Sequence, residues 1–164
     1  MILDLTRAFA GKQESVTDTL DLSGLELDGV KPFCAPIEIH GDLHGLSGSA
    51  ELTLTVRYTV SMPCDRCGAQ TTRTYDRQFP HLVVRELAEE EDDGDYVVTE
   101  DDRLDLSELV REDVLLDLPT KYLCREDCRG LCPKCGRNLN EGDCGCDRRE
   151  IDPRLAALAG LLEE

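Results

Sequence analysis

The sequence has no tryptophan, and aromatic side chains make up only 4% of its 164 residues. A hydrophobic core must therefore consist mainly of leucine, valine, isoleucine and alanine. Uninterrupted apolar stretches are also short, as at 155–159, whereas a helix that crosses a membrane needs about 20 such residues. We expect no membrane span. Asp4 and the lack of an apolar segment near the start predict no secretory signal, and hence a cytoplasmic protein.

Positive charge is also scarce. The chain has 18 Lys and Arg against 35 Asp and Glu, which gives a net charge of −17. A protein that coats a nucleic-acid duplex usually carries the opposite sign. The acidity is concentrated in residues 86–105, which hold eleven acids and one base, Arg103. We interpret this segment as a solvated acidic loop; the alternative is a docking strip for a basic partner such as a ribosomal protein.

Alternating polarity predicts strands before this acidic segment. Residues 51–62 alternate without a break between apolar and polar side chains, which indicates a strand with one buried and one wet face. Such strands favour an antiparallel sheet. Residues 70–79 are predicted to return beside this strand, and Gly41 and Gly45 to break or bend the chain before it. Shorter strands are predicted at 2–5, 17–22, 37–40, 82–84 and 96–98.

Two helices are predicted after the strands. Asp105 is a suitable N-cap with Glu108 three residues later, and Pro119 ends the helix. Asp152 and Pro153 mark the start of a C-terminal helix.

The predicted fold class is α+β. An antiparallel, partly curled or barrel-like sheet is followed by a helix, a Cys-rich zinc module and a C-terminal helix. We divide the chain into a β-rich domain at 1–118, with the acidic loop 86–105 and a helix at 105–118, and a second domain at 119–164. The second domain contains the zinc module and the terminal helix.

The nine cysteines are the strongest chemical signal in the sequence. An odd number in a chain expected to be cytoplasmic argues against a disulfide framework. Cys34, between Phe33 and Ala35, is expected to be a free thiol packed in the interior. The others are predicted metal ligands: Cys64, Cys67, Cys124, Cys128, Cys132, Cys135, Cys144 and Cys146.

Zinc is the predicted cofactor, as one or two structural ions, because thiolates are preferred ligands of structural zinc. Cys132 and Cys135 have knuckle spacing, in which backbone N–H groups point at the sulfurs and Gly136 supplies a positive φ. The favoured partition is Cys132, Cys135, Cys144 and Cys146 around one ion, and Cys64, Cys67, Cys124 and Cys128 around the other. A rival partition has one site within 124–146 and leaves Cys64 and Cys67 unmetallated. An iron–sulfur cluster and a redox dithiol are further alternatives.

The strand at 70–79 carries arginines and aromatics on one face, namely Arg73, Tyr75, Arg77 and Phe79. This face is either an ordinary solvated surface or a platform for single-stranded RNA. The sequence contains no phosphate-binding loop and no nucleophile elbow. We therefore predict neither an enzyme nor a small-molecule substrate.

The cysteine-rich part resembles the YceD family, a bacterial and plastid group. The resemblance is carried by LP at 118–119, CREDCRGLCPKCGRNLN at 124–140, CGC at 144–146 and IDPRL at 151–155, and CDRC at 64–67 also fits. It covers most of the chain and is strongest from residue 105 onward.

The resemblance implies a role in the accumulation, processing or stability of large-subunit (23S) ribosomal RNA. Family genes often lie next to one for a large-subunit ribosomal protein. We therefore expect a non-enzymatic ribosome-biogenesis factor whose partner is large-subunit ribosomal RNA, a basic ribosomal protein, or both. The alternative is a zinc-stabilised protein-interaction adaptor in transcription or translation that does not contact RNA directly.

Overall fold

The computed structural model describes residues 1–46, 48–85, 96–99 and 101–146. The chain divides into two compact units. The first, which we call the sheet unit, comprises Met1–Met62 and Thr71–Thr120. The second, the cysteine unit, comprises Pro63–Gln70 and Lys121–Glu164. The predicted C-terminal helix and residues 86–95 of the acidic loop lie outside the described residues.

The described elements follow one another in the order β1 (Ile2–Asp4), α1 (Thr6–Phe9), β2 (Gln13–Leu20), β3 (Ile37–Leu46), β4 (Ser49–Pro63), β5 (Gln70–Val84), β6 (Tyr96–Val98), β7 (Arg103–Asp105) and α2 (Leu106–Asp117). Strands β2 to β6 form one five-stranded sheet in sequence order, and β1 pairs with β7. Among the described helices, none is long and apolar enough to cross a membrane.

The predicted alternation in β4 is confirmed. Leu52, Leu54 and Val56 are fully buried on one face, and the residues between them are at least partly exposed. The register aligns Leu52 with Leu43 and Val56 with Ile39 of β3, so the two strands contribute to the same core. Burial of these aliphatic side chains contributes the main stabilisation of the sheet unit.

The predicted antiparallel arrangement is wrong at one edge of the sheet. Strands β2, β3 and β4 pair antiparallel, but β6 pairs parallel with β5, with Leu82 opposite Tyr96. Among the described strands, no pairing joins β2 to β6, so the barrel-like closure is not confirmed.

Gly41 and Gly45, which were predicted to break or bend the chain, lie inside β3. Gly41 pairs with Val16 on one side and Leu54 on the other, and β3 continues through Gly45. A Cβ atom at residue 41 would lie 2.9 Å from Val16 Cγ1 and 3.1 Å from Leu54 Cδ2. Here glycine makes room for neighbouring side chains rather than ending the strand.

The predicted N-cap of α2 is confirmed. The Asp105 carboxylate accepts hydrogen bonds from the backbone N–H groups of Ser107 (3.0 Å) and Glu108 (3.3 Å). Asp102 accepts two bonds from the Arg85 guanidinium at 2.6 and 2.7 Å. Two carboxylates of the predicted acidic loop therefore have structural partners within the sheet unit.

The arginine and aromatic face of β5 takes part in the packing of the sheet unit. Tyr75 stacks on Tyr58 at a centroid distance of 5.2 Å, and the Arg77 guanidinium lies 5.3 Å from the Tyr75 ring centroid. Arg77 also donates to Asp117 at 2.9 Å, and the Tyr58 hydroxyl donates to the same carboxylate. Burial, together with Asp117, raises the pKa of Tyr58. The Tyr75 ring and the Arg77 charge are thus already engaged by the protein itself.

We predict that Gly45→Ala strongly destabilises the sheet unit. A Cβ atom at this position would lie 2.0 Å from the Ala8 carbonyl oxygen and 2.7 Å from that of Lys12, and both are backbone atoms that cannot rotate away. We expect a loss of about 3 kcal/mol in the free energy of unfolding, the upper part of the usual range for overpacking. Denaturant unfolding measures it. Gly24→Ala is the matched control because it meets no atom within 4 Å; equal losses in the two variants would contradict the prediction.

Candidate metal centres

The structure brings the eight predicted ligands together in two groups of four. Centre 1 consists of Cys64, Cys67, Cys124 and Cys128, and centre 2 of Cys132, Cys135, Cys144 and Cys146. Within each group the sulfur atoms all lie within 4.8 Å of one another, so each group could hold a metal ion. This grouping is the favoured partition of the sequence analysis. Occupancy by metal stays a prediction.

The sulfur separations in centre 1 fit a single tetrahedral ion. Cys64 Sγ lies 3.8 Å from Cys128 Sγ, and Cys67 Sγ lies 3.7 Å from Cys124 Sγ. A disulfide would need about 2.05 Å. Four sulfurs arranged tetrahedrally at about 2.3 Å from a central ion are about 3.8 Å apart. The donor set and its spacing therefore match a four-thiolate site.

A tight turn between β4 and β5 positions the first cysteine pair. The N–H of Cys64 donates to the Ala69 carbonyl, and the N–H of Gly68 donates to the Cys64 carbonyl, both at 2.8 Å. Asp65 then joins this turn to the later segment of the unit. Its N–H donates to the Tyr122 carbonyl at 2.8 Å, and its carboxylate accepts from the Tyr122 N–H at 2.8 Å.

Arg66 makes a second link between the same two segments. Its guanidinium donates to the Cys128 carbonyl at 2.8 Å, and its own carbonyl accepts from the Leu131 N–H at 3.1 Å. Gly130 permits this approach: its φ is +72°, and a Cβ there would lie 2.9 Å from the Arg66 carbonyl oxygen. Backbone pairing thus draws the two halves of centre 1 together.

Centre 2 contains the predicted knuckle. The Gly136 N–H donates to the Cys132 carbonyl at 2.8 Å, and Gly136 has the predicted positive φ, at +71°. Backbone hydrogen bonds from Cys135 and Lys134 lower the pKa of Cys132 to about 6. The prediction that backbone N–H groups point at a sulfur is confirmed for this residue.

The thiols of centre 1 differ in pKa. Backbone hydrogen bonds, chiefly from Cys124 and then from Arg66 and Cys67, lower the pKa of Cys64 to about 6. A side-chain hydrogen bond with Cys128, followed by burial, raises the pKa of Cys124 to about 12. Neighbouring thiolates oppose each other's ionisation, because a nearby negative charge disfavours the charged form. A bound divalent cation would offset this repulsion and would displace the protons of the thiols that ligate it.

The sequence analysis assigned no role to Asn140, although it lies in the run used for the family resemblance. Its side-chain amide donates to Cys128 Sγ at 3.3 Å. Burial raises the pKa of Cys128, but the amide of Asn140, the N–H of Gly130 and the side chains of Cys124 and Cys67 together outweigh it, so this pKa is lowered overall. The sequence did offer one signal for this role: an amide side chain that can donate to sulfur lies within a cysteine-rich run.

Cys34 belongs to neither centre, and the expectation that it is packed in the interior is wrong. Its side chain is exposed, while its neighbour Phe33 is buried at 2% exposure and pairs with Val60. Consecutive residues in extended chain point to opposite sides, so burial of Phe33 turns Cys34 outward.

The fold and the two centres define an α+β protein with a cysteine-rich unit that could bind metal. The model of the family "Large ribosomal RNA subunit accumulation protein YceD" matches residues 52–162. The chain therefore belongs to the YceD family, as the sequence resemblance predicted.

Curated relatives extend over most of the chain. A chloroplastic YCED homolog 1 of Arabidopsis thaliana, named as a large ribosomal RNA subunit accumulation protein, is 28% identical over 81% of this chain and 50% of its own length. An uncharacterized protein of Bacillus subtilis, YlbN, is 26% identical over 79% of this chain and 76% of its own length. An uncharacterized protein of Mycobacterium tuberculosis, Rv2926c, is 32% identical over 85% and 68%, respectively.

The chain thus spans about half the length of the Arabidopsis relative and about three quarters of the Bacillus one. No solved structure matches the chain.

We predict that Gly130→Ala loosens the backbone link within centre 1. The added Cβ would lie 2.9 Å from the Arg66 carbonyl oxygen, which is the acceptor for the Leu131 N–H. Overpacking of about 1–3 kcal/mol corresponds to roughly 5–150-fold faster exchange of that amide. Hydrogen–deuterium exchange resolved at Leu131 measures it.

Gly68→Ala is the matched control for this change. Gly68 has nearly the same φ, +71°, but a Cβ there meets no atom within 4 Å. If both variants accelerate exchange at Leu131 equally, backbone strain rather than the Arg66 contact explains the effect, and the prediction fails.

Proposed function

We propose that this chain is a non-enzymatic ribosome-biogenesis factor, acting in the cytoplasm, that supports the accumulation, processing or stability of large-subunit (23S) ribosomal RNA. Its cysteine unit is stabilised by two structural zinc ions, one in each centre. The observation that carries the proposal is the pair of four-sulfur groups within a chain that matches the YceD family. The names of the plant relatives support the link to large-subunit ribosomal RNA.

Several observations support zinc in a structural role. Four protein sulfurs complete a tetrahedral coordination shell and leave no open position for a substrate or water, as in structural zinc sites. Sulfurs that all lie within 4.8 Å of one another suit a single ion, whereas an iron–sulfur cluster distributes its thiolates over several iron atoms. Eight thiolates held as ligands also suit a reducing compartment such as the cytoplasm.

The composition of the cysteine unit gives zinc an energetic role. Among the described residues of this unit, Leu139 is the one buried apolar side chain that is not a cysteine; it is 5% exposed. A unit so poor in apolar side chains gains little from hydrophobic burial. Structural zinc contributes about 10–16 kcal/mol of apparent binding free energy in small modules, enough to order such a unit.

Charge favours contact with a basic ribosomal protein over extensive contact with RNA. The whole chain has a net charge of −17. In the cysteine unit, Arg66 donates to the Cys128 carbonyl and Arg125 donates to Asn140 Oδ1 at 2.8 Å, so both arginines already have partners. Two zinc ions bound by eight thiolates would add further negative charge to this unit. This negative charge favours an effect on ribosomal RNA that is exerted through a basic protein partner.

A groove in the sheet unit supports the second candidate, an adaptor that binds protein without direct RNA contact. It has a volume of about 430 Å³ and is lined by Tyr96, Leu109 and Leu116, among others. Leu116 is 86% exposed and Glu112 also lines the groove, whereas Asp113 is already held by His81 at 2.9 Å. An apolar groove with an acidic residue suits a basic, partly apolar segment of a partner protein.

We predict that the full chain, purified reduced, holds two zinc ions. Cys64→Ser with Cys67→Ser, and Cys132→Ser with Cys135→Ser, should each remove one ion, because each pair belongs to a different centre. Native mass spectrometry counts the ions, and elemental analysis identifies the metal. Cys34→Ser is the control and should keep both. A single ion that survives the change at Cys64 and Cys67 would support the rival partition instead.

We predict that depletion of the protein in cells of the source organism lowers large-subunit relative to small-subunit ribosomal RNA. The wild-type chain and Cys34→Ser should restore the ratio, whereas Cys132→Ser with Cys135→Ser should not, because centre 2 lacks two ligands. Quantification of both RNAs after depletion is the measurement. If the two RNAs stay in proportion, the proposed role is wrong.

Salt dependence separates the two candidate functions. A protein that binds phosphates directly loses affinity for an RNA probe steeply between low and moderate salt. An adaptor should have no measurable affinity for the same probe at any salt concentration.

A further inference from the structure

Asn140 uses its whole side-chain hydrogen-bonding capacity within the cysteine unit. Its Oδ1 accepts from the Arg129 N–H and from the Arg125 guanidinium, both at 2.8 Å. Its Nδ2 donates to Cys128 Sγ at 3.3 Å and to Asn138 Oδ1 at 2.8 Å. An asparagine side chain offers two acceptor sites and two donor hydrogens, and here all four are in use.

The partners of this amide fix its orientation. A backbone N–H and a guanidinium can only donate, so they must face the Asn140 oxygen. Asn138 is oriented in the same way: its Oδ1 accepts from the Asn140 N–H at 3.1 Å, and its Nδ2 donates to the Glu141 carboxylate at 3.1 Å. The N–H groups of Asn140 therefore point at Asn138 and at the Cys128 sulfur.

The position of Asn140 depends on the knuckle of centre 2. The Cys132 N–H donates to the Arg137 carbonyl at 2.8 Å, Leu131 pairs with Asn138, and the Leu139 N–H donates to the Gly130 carbonyl at 2.9 Å. These contacts fold residues 130–139 back on themselves around Cys132 and Cys135. Asn140 is the next residue after this folded segment, and its side-chain amide donates to Cys128 Sγ of centre 1.

We propose that Asn140 is a positioning residue that couples the two centres. The knuckle of centre 2 holds Asn140 in place, and its amide orients the Cys128 sulfur, so that a filled centre 2 strengthens metal binding at centre 1. This inference rests on the metal centres of the proposed function. Hydrogen bonds to ligating atoms fix ligand orientation, and their loss typically costs about 10–100-fold in metal affinity.

Cadmium is a suitable probe because ¹¹³Cd NMR gives a separate resonance for each four-thiolate site. The full chain is loaded with ¹¹³Cd, and Cys132→Ser with Cys135→Ser identifies the resonance of centre 2 by its loss. Asn140→Leu removes all four side-chain hydrogen bonds of the amide. Asn140→Asp keeps the acceptor for Arg129 and Arg125 but removes the donor to sulfur. Glu141→Gln is the control, because it removes a neighbouring charge but keeps a side-chain oxygen that can accept from Asn138, so the bonds of Asn140 are preserved.

We expect both Asn140 variants to shift the resonance of centre 1 and to weaken its affinity for cadmium by about tenfold or more in chelator competition. The resonance of centre 2 should not move, and Glu141→Gln should resemble the wild type. Disabling centre 2 should weaken centre 1 about tenfold when Asn140 is present, and much less when residue 140 is already leucine.

Two results would overturn the inference and leave the metal centres intact. If Asn140→Asp resembles the wild type while Asn140→Leu weakens centre 1, the residue only stabilises its loop. If the losses from Asn140→Leu and from disabling centre 2 simply multiply, Asn140 does not carry the coupling between the centres. If the wild-type chain gives no four-thiolate cadmium resonance, the metal centres themselves are refuted, and the proposed function loses its zinc.

Discussion

The convergence of two distant cysteine pairs is the constraint on which the cysteine unit depends. Cys64 and Cys128 are 64 residues apart in the chain, and Cys67 and Cys124 are 57 apart, yet each pair of sulfurs lies within 3.8 Å. Closing loops of this length costs entropy, and four crowded thiolates repel one another. Backbone and side-chain hydrogen bonds of Asp65 and Arg66 offset part of this cost. A bound cation would offset the repulsion as well, which is why the geometry carries the metal proposal.

The predictable parts of the structure are those set by short-range pattern. Strict alternation over residues 51–62 predicted β4, because each residue of a strand faces the side opposite to its neighbours. Asp105 predicted the start of α2, since a carboxylate at that position satisfies N–H groups that the helix leaves free. Cysteine spacing identified the pairs 64/67 and 132/135, because two ligands separated by two residues can reach one ion, and the structure groups the eight sulfurs as in the favoured partition.

The features that the sequence analysis missed depend on contacts between distant segments. The parallel direction of β6 beside β5 is a relation between two separate segments, which the pattern of three residues at 96–98 does not encode. Gly41 is a strand residue because Val16 and Leu54 occupy the space beside it, so its role becomes visible only with its neighbours. Cys34 is exposed because Phe33 takes the buried position. Asn140 likewise acquires its role from a sulfur twelve residues away.

The charge of the protein and its arginines together bear on how such a factor would act. On the sheet, Arg77 is held by Asp117 and lies over Tyr75; in the cysteine unit, Arg66 and Arg125 hold backbone and amide oxygens. Arginines engaged in this way contribute to folding rather than to a phosphate-binding surface. A strongly acidic chain of this kind is better suited to bind a basic protein that would otherwise bind RNA indiscriminately. On this argument, the proposed role in ribosomal RNA accumulation would require no extensive RNA-binding face, and metal bound in the two centres would keep the cysteine unit folded.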